Sequence, residues 1–297
     1  MPPAVHVAPE PDRAIEEAVL QAGGQVAPLD DAEALIWLDP APGSFPDGLP
    51  DRVRWVQLPS AGVERWMGRI DGDRLWTSAA GAYGRPVAEH ALMLMLAGAR
   101  RLADCARAGR WFLPSSPPVV PLDGSTVAIV GAGGIGRALI GLLAPFRVEV
   151  LAVTRRGRDG TLPVDRLDEV WPRAHHVVIA APATGATRHL VGAAELAAMR
   201  EDAWLVNVAR GSLVDTHALV AALGAGEIAG AALDVTDPEP LPDGHPLWHE
   251  PRALITPHVA NPEATLRRYL AELVRENVRR FADGEELRSP IDADAGY

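Results

Sequence analysis

Two periodicities alternate along the second half of the chain. Short apolar runs at 126–130, 148–153, 176–180, 204–208, 229–235 and 253–256 are rich in Val, Ile, Leu and Ala on both faces, as strands buried in a parallel sheet are. Between them, 135–145, 164–171, 193–200 and 216–225 show the spacing of amphipathic helices, and Asp215 is placed to cap the last. The first third repeats the theme less regularly, with strands expected at 5–8, 35–38 and 54–58 and a long apolar helix at 87–101. The Met and Leu stripe of that helix suits core packing. A Pro- and Ser-rich stretch at 113–124 reads as a linker, and 264–283 as one amphipathic helix with no strand after it to join.

Strands alternating with crossover helices describe an α/β protein with a doubly wound parallel sheet. The expected organisation is a smaller flavodoxin-like α/β domain at 1–97, a Rossmann domain at 98–265, and a C-terminal helix at 266–297 returning to the first domain. A length of 297 residues and a hydrophobic fraction of 48% suit two cores. No apolar stretch reaches the ~18 residues of a membrane span, so no membrane association is expected. The first residues, MPPAVHVAPEPDR, lack the basic and apolar regions of a secretory signal, and a cytoplasmic location is expected.

Charge and composition then exclude several chemistries. A net charge of −11, spread along the chain, disfavours a nucleic-acid partner. The single cysteine, Cys105, permits neither an internal disulfide nor a cysteine metal cluster, and no metal site is expected. All 28 basic residues are arginine, which rules out a Schiff-base lysine or a lysine-bearing phosphate loop.

What remains points to a dinucleotide. Gly131-Ala132-Gly133-Gly134-Ile135-Gly136 follows the run TVAIV and opens a helix. Gly131 permits a tight turn, Gly133 lets the backbone approach a pyrophosphate, and Gly136 allows helix and strand to pack closely. The helix start then offers free amides to the phosphates. An NAD site expects an acid at the end of the next strand, but the sequence reads Val153-Thr154-Arg155-Arg156. A hydroxyl and two guanidiniums suit a 2′-phosphate, so NADP is preferred over NAD. Arg210, Glu239 and His258 each follow one of the later strands, at the carboxyl ends where open parallel sheets bind ligands. A cation to hold a carboxylate, a histidine to exchange a proton and an acid beside it form a hydride-transfer set.

The stretches VAIVGAGGIGR, AAPATGATRHLVG, LVNVARGSLVD, GAALDVTDPEPLPDGHPLW and LITPHVA resemble the D-isomer-specific 2-hydroxyacid dehydrogenases, the glyoxylate/hydroxypyruvate reductases among them. The resemblance implies that Arg210 binds substrate, Glu239 pairs with histidine and His258 is the acid/base. It places Ala181, Pro182, Thr187, Val208, Ala209 and Asp234 along the cofactor, Asp234 at the nicotinamide carboxamide. Pro59-Ser60-Ala61-Gly62-Val63 matches the loop whose amides hold the substrate carboxylate, with Ser60, Ala61 and Gly62 as the contacts. The implied substrate is a small 2-oxo or 2-hydroxy acid, glyoxylate or hydroxypyruvate being plausible, and the implied assembly is a homodimer. One branch of the family serves as non-enzymatic corepressors, and a dinucleotide sensor of that kind is the alternative. A formate-type enzyme expects glutamine where Glu239 stands.

Departures from the family are few. Gly134 replaces a larger residue, Asn261 stands where a small one is frequent, and the usual Asn after Thr77 is lacking. Tyr83 and Trp111 either line the substrate site or pack as aromatics, and His175 and His176 are expected to be structural.

Overall fold

The computed structural model describes residues 1–111, 120–293 and 296. It divides into one unit of Met1–Tyr83 with Asn261–Tyr297 and a second of Gly84–Ala260. Of the linker expected at 113–124, residues 113–119 lie outside the described residues.

The first unit carries strands β1 (Ala4–Ala8), β2 (Gln25–Val26), β3 (Ala34–Trp37), β4 (Trp55–Gln57) and β5 (Leu75–Thr77), all parallel, in the order β2-β1-β3-β4-β5. That order is the flavodoxin-like one. Helix α1 (Arg13–Gln21) starts at Asp12, whose carboxylate accepts from the amides of Ala14 and Ile15. Against it lies the long C-terminal helix (Glu263–Asp283), which buries Leu270, Val274, Asn277 and Val278 on one face. Gly24 is the contact point, since a Cβ there would meet Val19 and Val278 at 3.0 Å. On β4, Trp55 meets Phe281 of that helix with ring centroids 5.4 Å apart. Beneath the loops, Trp37, Phe45, Trp66 and Trp76 form an aromatic core in which Phe45 stands edge-on to Trp37 and Trp66.

Helix α2 (Gly84–Ala99) and the short α3 (Leu102–Arg107) open the second unit. Seven parallel strands follow: β6 (Thr126–Val130), β7 (Glu149–Thr154), β8 (Leu162–Pro163), β9 (His176–Ile179), β10 (Trp204–Asn207), β11 (Gly230–Leu233) and β12 (Ala253–Ile255). Their order is β12-β11-β10-β9-β6-β7-β8, a doubly wound sheet that reverses direction between β6 and β9. Helices α4 (Gly134–Leu143), α5 (Ala193–Ala198) and α6 (Thr216–Ala225) cover it, and the C-terminal helix is α7. Asp215 caps α6 by accepting from the amides of His217 and Ala218. The sequence-based boundary at 97/98 falls inside α2, which belongs with the second unit because it lies on α4 and β10. A Cβ on Gly84 would meet the Gly134 carbonyl at 2.7 Å, and one on Gly98 the Trp204 ring at 2.5 Å.

One expected helix is absent. Residues 164–171 form 3₁₀ turns, Val164–Glu169 and Trp171–Arg173, with Arg166 at φ −105° and ψ 15°. Pro163 and Pro172 flank this stretch, and neither can donate to a helical ladder.

Candidate functional site

In the second unit the turn between β6 and α4 is held by glycines. Gly131 lies at φ 104°, and a Cβ there would stand 2.5 Å from the Ala180 carbonyl carbon, so a side chain is both strained and obstructed. A Cβ on Gly136 would overlap the Gly131 carbonyl. Gly133 has nothing within 4 Å of the same position, and Gly133 and Gly134 are exposed. Because the residue before α4 is Gly133, no side chain caps the first turn. The uncapped first-turn amides and the open space beside Gly133 suit the approach of a pyrophosphate.

At the end of β7, Thr154 Oγ1 hydrogen-bonds Thr161 Oγ1 at 2.7 Å and accepts from Gly157 N at 3.1 Å, which closes the turn. Arg155 and Arg156 follow on its exposed side, with no acidic residue between them and β7. After β9, the half-buried Ala181 and exposed Pro182 begin a loop locked by Thr187, whose hydroxyl donates to the Pro182 carbonyl at 2.8 Å. Val208 and Ala209 continue β10 and are buried.

Arg210 is framed by its backbone. The buried Asn207 donates to the Arg210 carbonyl at 2.9 Å and accepts from Ala209 N at 3.1 Å, while Arg210 Nη1 donates to Ala209 O at 2.8 Å. Next to it, Gly211 presses on the loop after β11 so closely that any Cβ would overlap the Thr236 carbonyl. That loop leads through Thr236 and Asp237, tied by Thr216 and Pro238, to Glu239. From the end of β12, His258 meets it, with Nδ1 2.7 Å from Glu239 Oε1. Both side chains stay open, at 48% and 40% exposure. The Nδ1 contact leaves Nε2 as the ring nitrogen directed elsewhere.

His258 itself holds φ 53°, a left-handed conformation uncommon outside glycine. Its amide donates to the Asp234 carbonyl at 2.8 Å. Asp234 is buried, which alone would raise its carboxyl. Hydrogen bonds from His90, Thr256, Val259 and Ala260 outweigh that and hold it below the usual carboxylate range. The sequence stretch Val87-Ala88-Glu89-His90 gave no sign of this contact, because His90 sits in an apolar helix far along the chain.

In the first unit, Ser60, Ala61 and Gly62 follow β4 in a loop fixed by Tyr83, whose hydroxyl donates to Pro59 O at 2.7 Å. Ala61 is exposed, and Ser60 Oγ is buried without a hydrogen-bond partner among the described residues. Trp111 is 96% exposed. His175 accepts from Thr126 N at 3.1 Å. His176 is enclosed with both ring nitrogens unpartnered among the described residues, and burial pushes it down to about 4. No helix among the described residues is long and apolar enough to cross a membrane.

The chain is similar to known proteins. The family model of the D-isomer specific 2-hydroxyacid dehydrogenase NAD binding domain matches residues 91–260. An uncharacterised protein of the proB 3′ region in Corynebacterium melassecola is 41% identical over 94% of this chain and 95% of its own. A glyoxylate reductase of Thermofilum pendens is 38% identical over 67% of this chain, and the match spans 62% of that enzyme. Among solved structures, a D-isomer specific 2-hydroxyacid dehydrogenase from Xanthobacter autotrophicus Py2, in complex with NADPH and MES, superposes with a TM-score of 0.82. The two are 28% identical, and each chain is covered over 100% of its length.

Proposed function

The chain belongs to the D-isomer specific 2-hydroxyacid dehydrogenase family, and from that premise we propose that it is an NADPH-preferring reductase of small 2-oxo acids such as glyoxylate or hydroxypyruvate. The observation that carries the reading is the His258–Glu239 contact of 2.7 Å, with Arg210, Glu239 and His258 each following one of three neighbouring parallel strands at its carboxyl end. A bound nicotinamide dinucleotide supplies the hydride. Arg210 holds the substrate carboxylate, which a planar guanidinium grips at two points. Protonated His258 gives its Nε2 proton to the 2-oxo oxygen, while Glu239 accepts from Nδ1, orients the ring and offsets its charge.

Cofactor choice follows from the end of β7. Arg155 and Arg156 replace the ribose-binding acid there, and the NADPH complex of the Xanthobacter relative supports the same preference. A homodimer is also part of the proposal. Met93, Leu102, Trp111 and Leu142 of the second unit are large apolar side chains left between 38% and 96% exposed, which suits burial against a second copy.

The test is NADPH consumption over a panel of 2-oxo acids, with light scattering for the dimer. Turnover with glyoxylate or hydroxypyruvate, and a higher kcat/KM with NADPH than NADH, is expected. Replacing Arg155 and Arg156 by Ala should weaken NADPH about 10-fold or more and NADH little. Equal losses for both would overturn the 2′-phosphate assignment. Dinucleotide binding with no turnover on any acid would favour the corepressor-like alternative.

A further inference from the structure

We propose that His90 is a positioning residue that acts on His258 through Thr256 and Asp234. The proposal rests on the reading of His258 as the acid/base group, and it adds a residue that carries no role in that reading.

His258 occupies a left-handed conformation that a residue with a Cβ does not choose by itself, so the surroundings must impose it. Three consecutive amides show how. His258 N donates to Asp234 O at 2.8 Å, Val259 N to Asp234 Oδ1 at 3.0 Å, and Ala260 N to Asp234 Oδ2 at 3.1 Å. A single aspartate therefore clamps the backbone on and after His258. Its side chain is 1% exposed, so water does not compete for those bonds.

A clamp works only if the carboxylate is itself oriented. Thr256 Oγ1 donates to Asp234 Oδ1 at 2.6 Å. Having one hydrogen, that hydroxyl must act as acceptor towards His90 Nε2, 2.9 Å away. The bond sets His90 as the tautomer protonated on Nε2, which also lies 3.3 Å from Asp234 Oδ1. The result is a one-way chain of donors, from His90 to Thr256 to Asp234, ending on the amides that shape the His258 segment. His90 sits on α2, a sixteen-residue helix packed on α4, so the chain is anchored in a rigid element rather than in a loop. Oδ1 accepts from the Thr256 hydroxyl and from Val259 N, and Oδ2 from Ala260 N, which leaves a lone-pair direction on Oδ2 for the cofactor contact implied by the family likeness. An apolar side chain at position 90 would free the Thr256 hydroxyl to rotate and release one of the restraints on Asp234.

The experiment compares His90→Leu, Thr256→Val, the double variant and His90→Gln, whose amide nitrogen can occupy the place of Nε2. For each, kcat and KM are measured with saturating NADPH, together with NADPH affinity and backbone amide exchange of the 256–260 segment. In His90→Leu, kcat should fall about 10- to 100-fold, as for a misplaced catalytic group, with exchange at Val259 and Ala260 accelerated. KM and NADPH affinity should stay within about threefold. His90→Gln should regain most of the loss, and the double variant should be no worse than the poorer single, because both break one chain. A kcat within about twofold of wild type, unchanged exchange, or losses that multiply in the double variant would overturn the proposal. Should His90→Leu fail to fold, Thr256→Val and His90→Gln decide it by the same measures. If the wild type reduces no 2-oxo acid, the acid/base reading fails instead, and the exchange data still show whether His90 holds the segment.

Discussion

Gly211, next to Arg210, lets two loops touch through bare backbone, since a Cβ there would overlap the carbonyl of Thr236 on the loop that leads to Glu239. Position and charge type at Arg210 are then both constrained. Arg210→Lys keeps the charge but not the fork, and kcat/KM should fall on the order of 100-fold while NADPH affinity holds. Activity within a few-fold of wild type would remove Arg210 from the substrate. At the neighbouring strand end, His258→Ala should cost about 100- to 10,000-fold in kcat, the range of a general acid. Glu239→Gln keeps the shape of the pair and removes its negative charge, so its loss should be real but smaller than that of His258→Ala. Equal kcat for Glu239→Gln and wild type would make the 2.7 Å contact incidental. Arg210, Glu239 and His258 were legible in the sequence because each closes a recognisable strand-and-turn motif. A role for His90 was not, since Val87-Ala88-Glu89-His90 matches the family only as a stretch and its partner Thr256 lies 166 positions away.

Elements were legible in proportion to their periodicity. The interior strands β6, β9 and β10 stand within a residue of the apolar runs that announce them, and Asp215 caps α6 as its position suggested. The strands β2, β5 and β8, of two or three residues, were missed, being too short to show a period. Helix α1 was missed as well, although Asp12 and its following acids mark the start. How α7 is seated could not be read either, because a polar network does it. Asn277, fully buried, donates to Gln57 Oε1 at 3.0 Å and to Arg288 O at 3.2 Å, and accepts from Arg288 N at 2.7 Å. Gln57 continues the network by accepting from the Thr77 hydroxyl at 2.9 Å, and Trp55 Nε1 donates to that hydroxyl at 2.8 Å. Asn277→Leu strands these partners in a dry interior and should cost about 2–4 kcal/mol, read as a lower urea midpoint. An unchanged midpoint would mean that apolar packing alone seats α7.

For the molecule as a whole, pH acts on the folding balance through His176. In the folded chain burial holds this ring neutral until about pH 4, whereas in the unfolded chain it charges near 6.5. Between those values the unfolded state binds more protons, so stability is complete above the upper value and declines as pH falls towards the lower one. The largest loss from this one group is about 3 kcal/mol. His176→Leu abolishes the titration, so urea midpoints at pH about 7 and about 5 should converge more for the variant than for wild type. Parallel declines in both proteins would clear His176 of the effect. The two parallel sheets were visible in the sequence as alternating patterns, while the point at which one unit gives way to the next was not, because the apolar stripe of α2 looks the same whichever core it serves. The division of the first unit into Met1–Tyr83 and Asn261–Tyr297 also sets an order of assembly. A ribosome extrudes β4 early and α7 only after the entire intervening unit, so Trp55 and Gln57 emerge long before Phe281 and Asn277 exist to meet them. The nascent sheet must wait, partly uncovered, through the synthesis of its neighbour, and the unit begun first is the one finished last.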